Sequence, residues 1–355
     1  MSEAVTEEVE MDELFRKMRK MNSPDYLHTV SLNELYENVY ESRPPLIDGL
    51  LYAGAYILAG APKIGKSFLV AQIAYHVSTG QPLWGFDVHQ GMVLYLALED
   101  DFRRLQERMS RMFGVEGTEN IRFSVSAKLL GGGLDAQLER FMREYPDTKL
   151  IILDTLQKVR EASKDYSYSS DYELMNKLKR FADIHGVCVL AVHHTRKQSA
   201  EDCFETISGT TGLFGSADGA LLMRKEHRTD LTATVDVAGR DQPDQRLHLK
   251  KDEDSLIWNL ERTETQPWRK PQDPVLEAVE RFAKERGEWE GSPSELAQAL
   301  SLDVAVNRLT RHLNVSAARL LDEYHVKYES RTRHEGRRIR LTYTLVEAQG
   351  TDLTA

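Results

Sequence analysis

At 355 residues the chain has room for one large domain and a smaller one, with a sizeable core. Its net charge of −10 is unevenly spread. Residues 1–14 hold six acids and no base, whereas 305–341 hold nine Arg/Lys against four Asp/Glu, so the acidic average does not exclude nucleic acid.

No apolar run approaches the ~20 residues of a membrane span. The acidic start lacks the basic and apolar regions of a signal peptide. Cys188 and Cys203 form no metal-ligand spacing, which points to inert thiols in a soluble, cytoplasmic protein. Residues 1–10 read as disordered. Residues 11–21 (MDELFRKMRKM) suit a short amphipathic helix that docks on a neighbouring subunit or on its own domain. A second helix is expected over 32–40, ended before Pro44 and Pro45.

The stretch 56–75, YILAGAPKIGKSFLVAQIAY, organises the rest of the chain. A short apolar run at 56–59 suits a buried parallel strand. Gly60, Ala61, Pro62, Lys63, Ile64, Gly65, Lys66 and Ser67 then fill the G-x-x-x-x-G-K-[ST] pattern, and Phe68 opens an apolar helical period. The glycines let successive N–H groups turn into one concavity for phosphate oxygens, and the helix N-terminus adds its dipole. Lys66 can reach β- and γ-phosphates, and the Ser67 hydroxyl can hold Mg²⁺. The stretch reads as a nucleotide-phosphate site with Mg²⁺.

Strands are expected at 92–98, 121–125, 149–153 and 187–192, alternating with helices at 102–113, 134–145 and 171–185. That alternation implies a parallel sheet covered on both faces. From Gly219 the period changes, and 220–225, 231–238, 245–250 and 256–260 are expected to extend the sheet in antiparallel fashion. Residues 263–274, polar with three prolines, read as a linker. Beyond it, helices at 275–285, 292–300, 304–313 and 315–324 precede a hairpin of 326–330 and 338–345 with Gly336 near its turn. The order suggests a winged helix-turn-helix. The expected division is 1–44, an acidic tail with short helices; 45–262, the P-loop domain; 263–274, the linker; 275–346, the winged-helix-like domain; and 347–355, a tail.

Ligands of open α/β sheets sit at the carboxyl ends of the strands. Asp154 ends one apolar strand and fits a Walker B aspartate that holds Mg²⁺ with Ser67. Glu99 ends another, as a candidate general base, with Asp100 or Asp101 capping the following helix. His193 and His194 end a third, where an imidazole can sense the γ-phosphate.

The ordered set LAGAPKIGKSFLVAQIAYHVSTGQPLWG, GMVLYLALEDDFRRLQERM, LIILDTLQKVR, VLAVHHTRK and SGTTGLFGSADGALLMRK resembles the RepA-type branch of RecA-like ATPases. These are AAA-family proteins of plasmids, phages and integrative elements that include hexameric replicative helicases. The resemblance covers about 45–260. It implies an α/β RecA-like P-loop core, with the small α+β domain appended, and a ring with ATP between subunits. It also implies Lys66 and Ser67 at the phosphates and Mg²⁺, Glu99 as base, Asp154 as Walker B, and His193 or His194 as sensor. Such rings need an arginine from the neighbouring subunit. Arg224 is the first choice and Arg240 the second.

Loops after the Asp154 and His strands would face the channel, where Lys158, Arg160, Lys164, Arg196 and Lys197 could track single-stranded DNA. In the C-terminal domain Arg308, Arg311 and Arg319 on helices, with Arg331, Arg333, Arg337, Arg338 and Arg340 on the hairpin, could grip duplex. The expected activity is an ATP-dependent DNA helicase or translocase in replication of a mobile element, and the expected assembly a homo-oligomer, hexameric as in that family. An ATPase that loads or remodels proteins on DNA, or an ATP-switched initiator without motor activity, are the alternatives.

Overall fold

Successive side chains of a strand point to opposite faces, so a strand that is apolar at every position must be covered on both. β1 (Gly54–Gly60) is buried at all seven residues, as that rule requires. It stands inside a nine-stranded sheet in a computed structural model that describes residues 27, 29–40, 45–160, 168–195, 212–264, 273–302, 304–333 and 336–344. The expectations for 1–21 and the positions Lys164, Arg196, Lys197 and Cys203 lie outside the described residues, as does most of the expected linker. No helix of the described residues is long and apolar enough to cross a membrane.

In chain order the elements begin with α1 (Leu32–Glu37), then β1, α2 (Lys66–Thr79), β2 (Met92–Ala97), α3 (Phe102–Phe113) and β3 (Ile121–Ser124). Next come α4 (Leu134–Glu144), β4 (Thr148–Asp154), α5 (Tyr168–His185), β5 (Cys188–His194) and α6 (Gly212–Ser216). The strands β6 (Gly219–Arg224), β7 (Thr232–Gly239), β8 (Gln245–Lys251) and β9 (Trp258–Thr263) complete the sheet. Their order across it is β3-β2-β4-β5-β1-β6-β7-β8-β9.

Alternation sorts the core into two layers. Tyr56, Leu58, Tyr95, Leu150, Ile152, Leu190 and Val192 pack with Leu69, Val70 and Ile73 of α2 on one face. Ile57, Leu94, Leu96, Ile151, Leu153, Val189 and Ala191 pack with α4 and α5 on the other, through residues such as Leu138 and Leu178. The parallel α/β core is therefore as expected. One strand corrects the expectation: β6 runs parallel to β1, with Tyr56 opposite Gly219 and Gly60 opposite Met223. A parallel neighbour needs a long connection, which the segment between β5 and β6 supplies, whereas the tight turns after β6 permit only antiparallel pairing. The antiparallel series therefore starts at β7.

By contacts the chain separates into one unit within 43–271 and a second that groups the segment before 43 with the segment after 271. The second unit contains α1 and runs on through α7 (Pro274–Arg286), β10 (Glu288–Gly291), α8 (Pro293–Ala299), α9 (Val306–Val315) and α10 (Ala317–Tyr324) to β11 (Val326–Arg333) and β12 (Gly336–Tyr343). β10 was not legible as a strand, yet its four residues pair with β12 to make a three-stranded antiparallel sheet. The helix starts are sharply marked: Asp273 caps α7 beside Pro274, and Ser292 with Glu295 makes a capping box on α8. Leu276, Val279, Leu309, Leu313, Ile339 and Leu341 form this unit's own core.

Candidate nucleotide-phosphate site

The strand order explains why residues distant in sequence meet. The carboxyl ends of β2, β4, β5 and β1 are neighbours, about 4.8 Å apart per strand. They bring Glu99, Asp154, His194 and the P-loop to the rim of one cavity of about 470 Å³. The registers agree, because Gly60 lies opposite His194 and Ala97 opposite Asp154.

The loop itself is held open by its glycines. Gly65 has φ of +109°, and a Cβ there would meet Cζ2 of Trp258 at 2.7 Å. A Cβ on Gly60 would meet the Met223 carbonyl oxygen at 2.6 Å. Trp258 is fully buried under the loop, and its backbone is fixed by Gln72 of α2, which donates to its carbonyl and accepts from its N–H, both at 2.9 Å.

Lys66 is buried and its Nζ donates to the Gly60 and Ala61 carbonyls at 2.7 and 2.8 Å, while lying 3.2 Å from Nδ1 of His194. Burial pushes its pKa down to about 8, against the pull of the Asp154 and Glu99 carboxylates. Burial likewise raises the Asp154 carboxyl, opposed by hydrogen bonds from the Ser67 hydroxyl and from Tyr95, whose OH donates at 3.0 Å. The Ser67 hydroxyl and the Asp154 carboxylate are hard oxygen donors side by side, the set that suits Mg²⁺ completed by substrate phosphates. Glu99 is exposed, lines the cavity and accepts from the Thr155 hydroxyl at 3.1 Å.

The two histidines part company. His194 is on the α2 face and lines the cavity; burial and the Lys66 charge lower its pKa, so it is a neutral imidazole beside the ammonium. His193, one residue earlier, takes the other face of β5 and does not line the cavity; burial pushes it down to about 4. Asp101, not Asp100, caps α3 by accepting from the Arg104 N–H at 2.8 Å. Asp100 pairs instead with Arg108, at 2.8 Å.

Other expected residues are scattered. Arg224 ends β6 at the P-loop end of the sheet and is ion-paired with Asp236. Arg240 follows β7 at the opposite end, where Gly239 lies opposite Gly219; its side chain is 61% exposed and lies 3.8 Å from Asp218. Lys158 is exposed in a single 3₁₀ turn, whereas Arg160 is turned inward against Asp171 at 2.5 Å. In the second unit Arg337 pairs with Glu37 at 2.6 Å, Arg340 with Glu288, and Arg338 lies 4.0 Å from Glu295. Arg311 and Arg319 pair with Glu37 and Glu323, Arg331 lies 3.6 Å from Glu329, and Arg308 is exposed.

Sequence reasoning missed Tyr95, Thr155 and Trp258, and also the cavity-lining Arg108, Lys225 and Lys251. Tyr95, Arg108, Thr155 and Lys225 lie within the quoted segments without a role assigned to them, whereas Lys251 and Trp258 lie outside every motif and arrive through packing between distant segments.

The profile of the AAA domain family (AAA_25) matches residues 23–200. No curated protein sequence matches the chain. Among solved structures, an isolated ATPase domain is similar with a TM-score of 0.51 at 15% identity, over 70% of this chain and 97% of that one. A DnaB-like replicative helicase, described with its interactions with primase, is similar with a TM-score of 0.51 at 15% identity, over 73% and 74%. A KaiC-like protein of Pyrococcus horikoshii OT3 gives 0.45 at 14%, over 63% and 99%. At these identities the likeness is one of fold, a RecA-like core.

Proposed function

The chain belongs to the AAA domain family of RecA-like P-loop ATPases, and from that premise we propose that it is an ATP-driven, DNA-translocating ring of the RepA helicase type. The observation that carries the proposal is the convergence of Lys66, Ser67, Glu99, Asp154 and His194 on one cavity. The likeness in fold to a DnaB-like replicative helicase supports the choice of motor.

In the proposed reaction the P-loop amides and Lys66 bind the phosphates, and Ser67 with Asp154 would hold Mg²⁺. Mg²⁺, when bound, neutralises charge on the phosphate oxygens. Glu99, oriented by Thr155, takes a proton from water as that water attacks the γ-phosphorus, and ADP leaves. Neutral His194 is placed to hydrogen-bond a γ-phosphate oxygen. Of the two candidate arginines, Arg240 suits the finger given to a neighbour. It lies about 15 Å along the strands from its own P-loop and is exposed, whereas Arg224 is held by Asp236 beside its own cavity. Lys158 remains the described candidate for DNA in the channel.

ATPase rate with and without single-stranded DNA, with mass in solution with and without ATP, tests the reading. Stimulation by DNA of a multi-subunit species supports it; slow turnover indifferent to DNA favours the ATP-switched initiator. A second reading, an ATPase that loads or remodels proteins on DNA, is favoured by one observation. Six of the second unit's nine arginines with described side chains are paired with acids of that same unit, which suits protein docking more than a grip on duplex. Strand displacement, with Glu99→Gln as the inactive control, separates the two.

A further inference from the structure

The nucleotide cavity has a second wall that the P-loop chemistry leaves unused. Phe68, in the first turn of α2, has two cations over its ring: Nζ of Lys251 is 3.7 Å from the ring centroid and Cζ of Arg108 is 5.3 Å from it. Lys251 ends β8 and Arg108 sits on α3, so the antiparallel extension and the helix after β2 meet over the start of α2. Lys225 adds a third cation, 5.3 Å from the Trp258 ring, with its Nζ donating to the Asp230 carbonyl at 2.5 Å.

These cations are poorly compensated. The charges acting on Lys251 are those of Lys225, Arg111 and Arg108, all positive, and together with burial, the larger cause, they push its pKa down to about 8. Arg108 spends one terminal nitrogen on Asp100, while its Nη1 is buried with no hydrogen-bond partner among the described residues. A buried donor left unpaired and a lysine crowded by like charge are both costly, and an anion in the cavity relieves both.

In a P-loop the amides and the helix start take the α- and β-phosphates while the lysine reaches β and γ, so the Phe68 side is the α-phosphate side. We infer that Lys251 and Arg108 form a second anion grip, supplied by the same protomer, on the α-phosphate of the bound nucleotide. The inference rests on the nucleotide reading above.

Titrations of ATP and ADP, each with Mg²⁺, into the full chain, Lys66→Ala, Lys251→Gln and Lys251→Arg test it. Lys251→Gln should weaken ATP and ADP alike by about tenfold, because both carry the α-phosphate. Lys251→Arg, which keeps the charge, should stay within about threefold of the parent and shows that the position tolerates change. Parental affinity in Lys251→Gln, or a loss confined to ATP, overturns the grip while Lys66→Ala still reports on the P-loop. A parent that binds neither nucleotide, or a Lys66→Ala chain that binds both normally, overturns the nucleotide reading and the grip with it.

Discussion

Glu99 and Gly65 show how much single positions carry. Because Thr155 already orients one Glu99 oxygen, Glu99→Gln preserves the shape of the site and removes only its basicity. Single-turnover measurement should give hydrolysis slowed by ~10²–10⁴-fold, with ATP affinity within about threefold of the parent. Gly65→Ala places a methyl into the Trp258 ring at a positive φ, so it should cost about 2 kcal/mol in thermal unfolding as well as nucleotide affinity. His194→Ala should reduce turnover, while His193→Ala, on the other face of β5, should leave ATP affinity unchanged. At this scale the sequence was readable wherever a motif forces a residue type: the P-loop, Asp154 and Glu99 sit where strand-end logic put them. It was blind to Trp258 and Lys251, which reach the site through the hairpin of β8 and β9, because cross-sheet packing leaves no local period.

Among elements, the apolar runs of β1, β2, β4 and β5 identified themselves, since a doubly covered strand has no polar face to confuse it. The direction of β6 was not readable, because alternation is the same in either sense. β10, four residues long and half exposed, has too little pattern to show. α1 was expected as a helix, but not its anchorage: Glu37 at its end holds Arg311 of α9 and Arg337 of β12. Those hydrogen bonds keep the Glu37 carboxyl below its usual 4.5, so its contribution is complete above that value and is lost as pH falls through the lowered one. Protection factors of the α1 amides, with the intrinsic pH dependence of exchange divided out, should therefore fall several-fold on acidification below 4.5, and Glu37→Gln should show the lower protection already at neutral pH.

For the molecule as a whole, the sheet places the cavity-lining Glu99, Asp154 and His194 at one end and Arg240 at the other. In the proposed assembly each site is completed by Arg240 of a neighbouring copy, so turnover depends on cooperation between subunits. The direct measurement is ATP turnover by Glu99→Gln and Arg240→Ala chains, purified alone and co-expressed. Each alone should be nearly inactive, while the co-assembled mixture should recover about a quarter of parental turnover. That fraction follows because random assembly pairs an intact Glu99 with an intact Arg240 at one interface in four. A mixture no more active than either parent variant, or an Arg240→Ala chain fully active alone, would contradict the account.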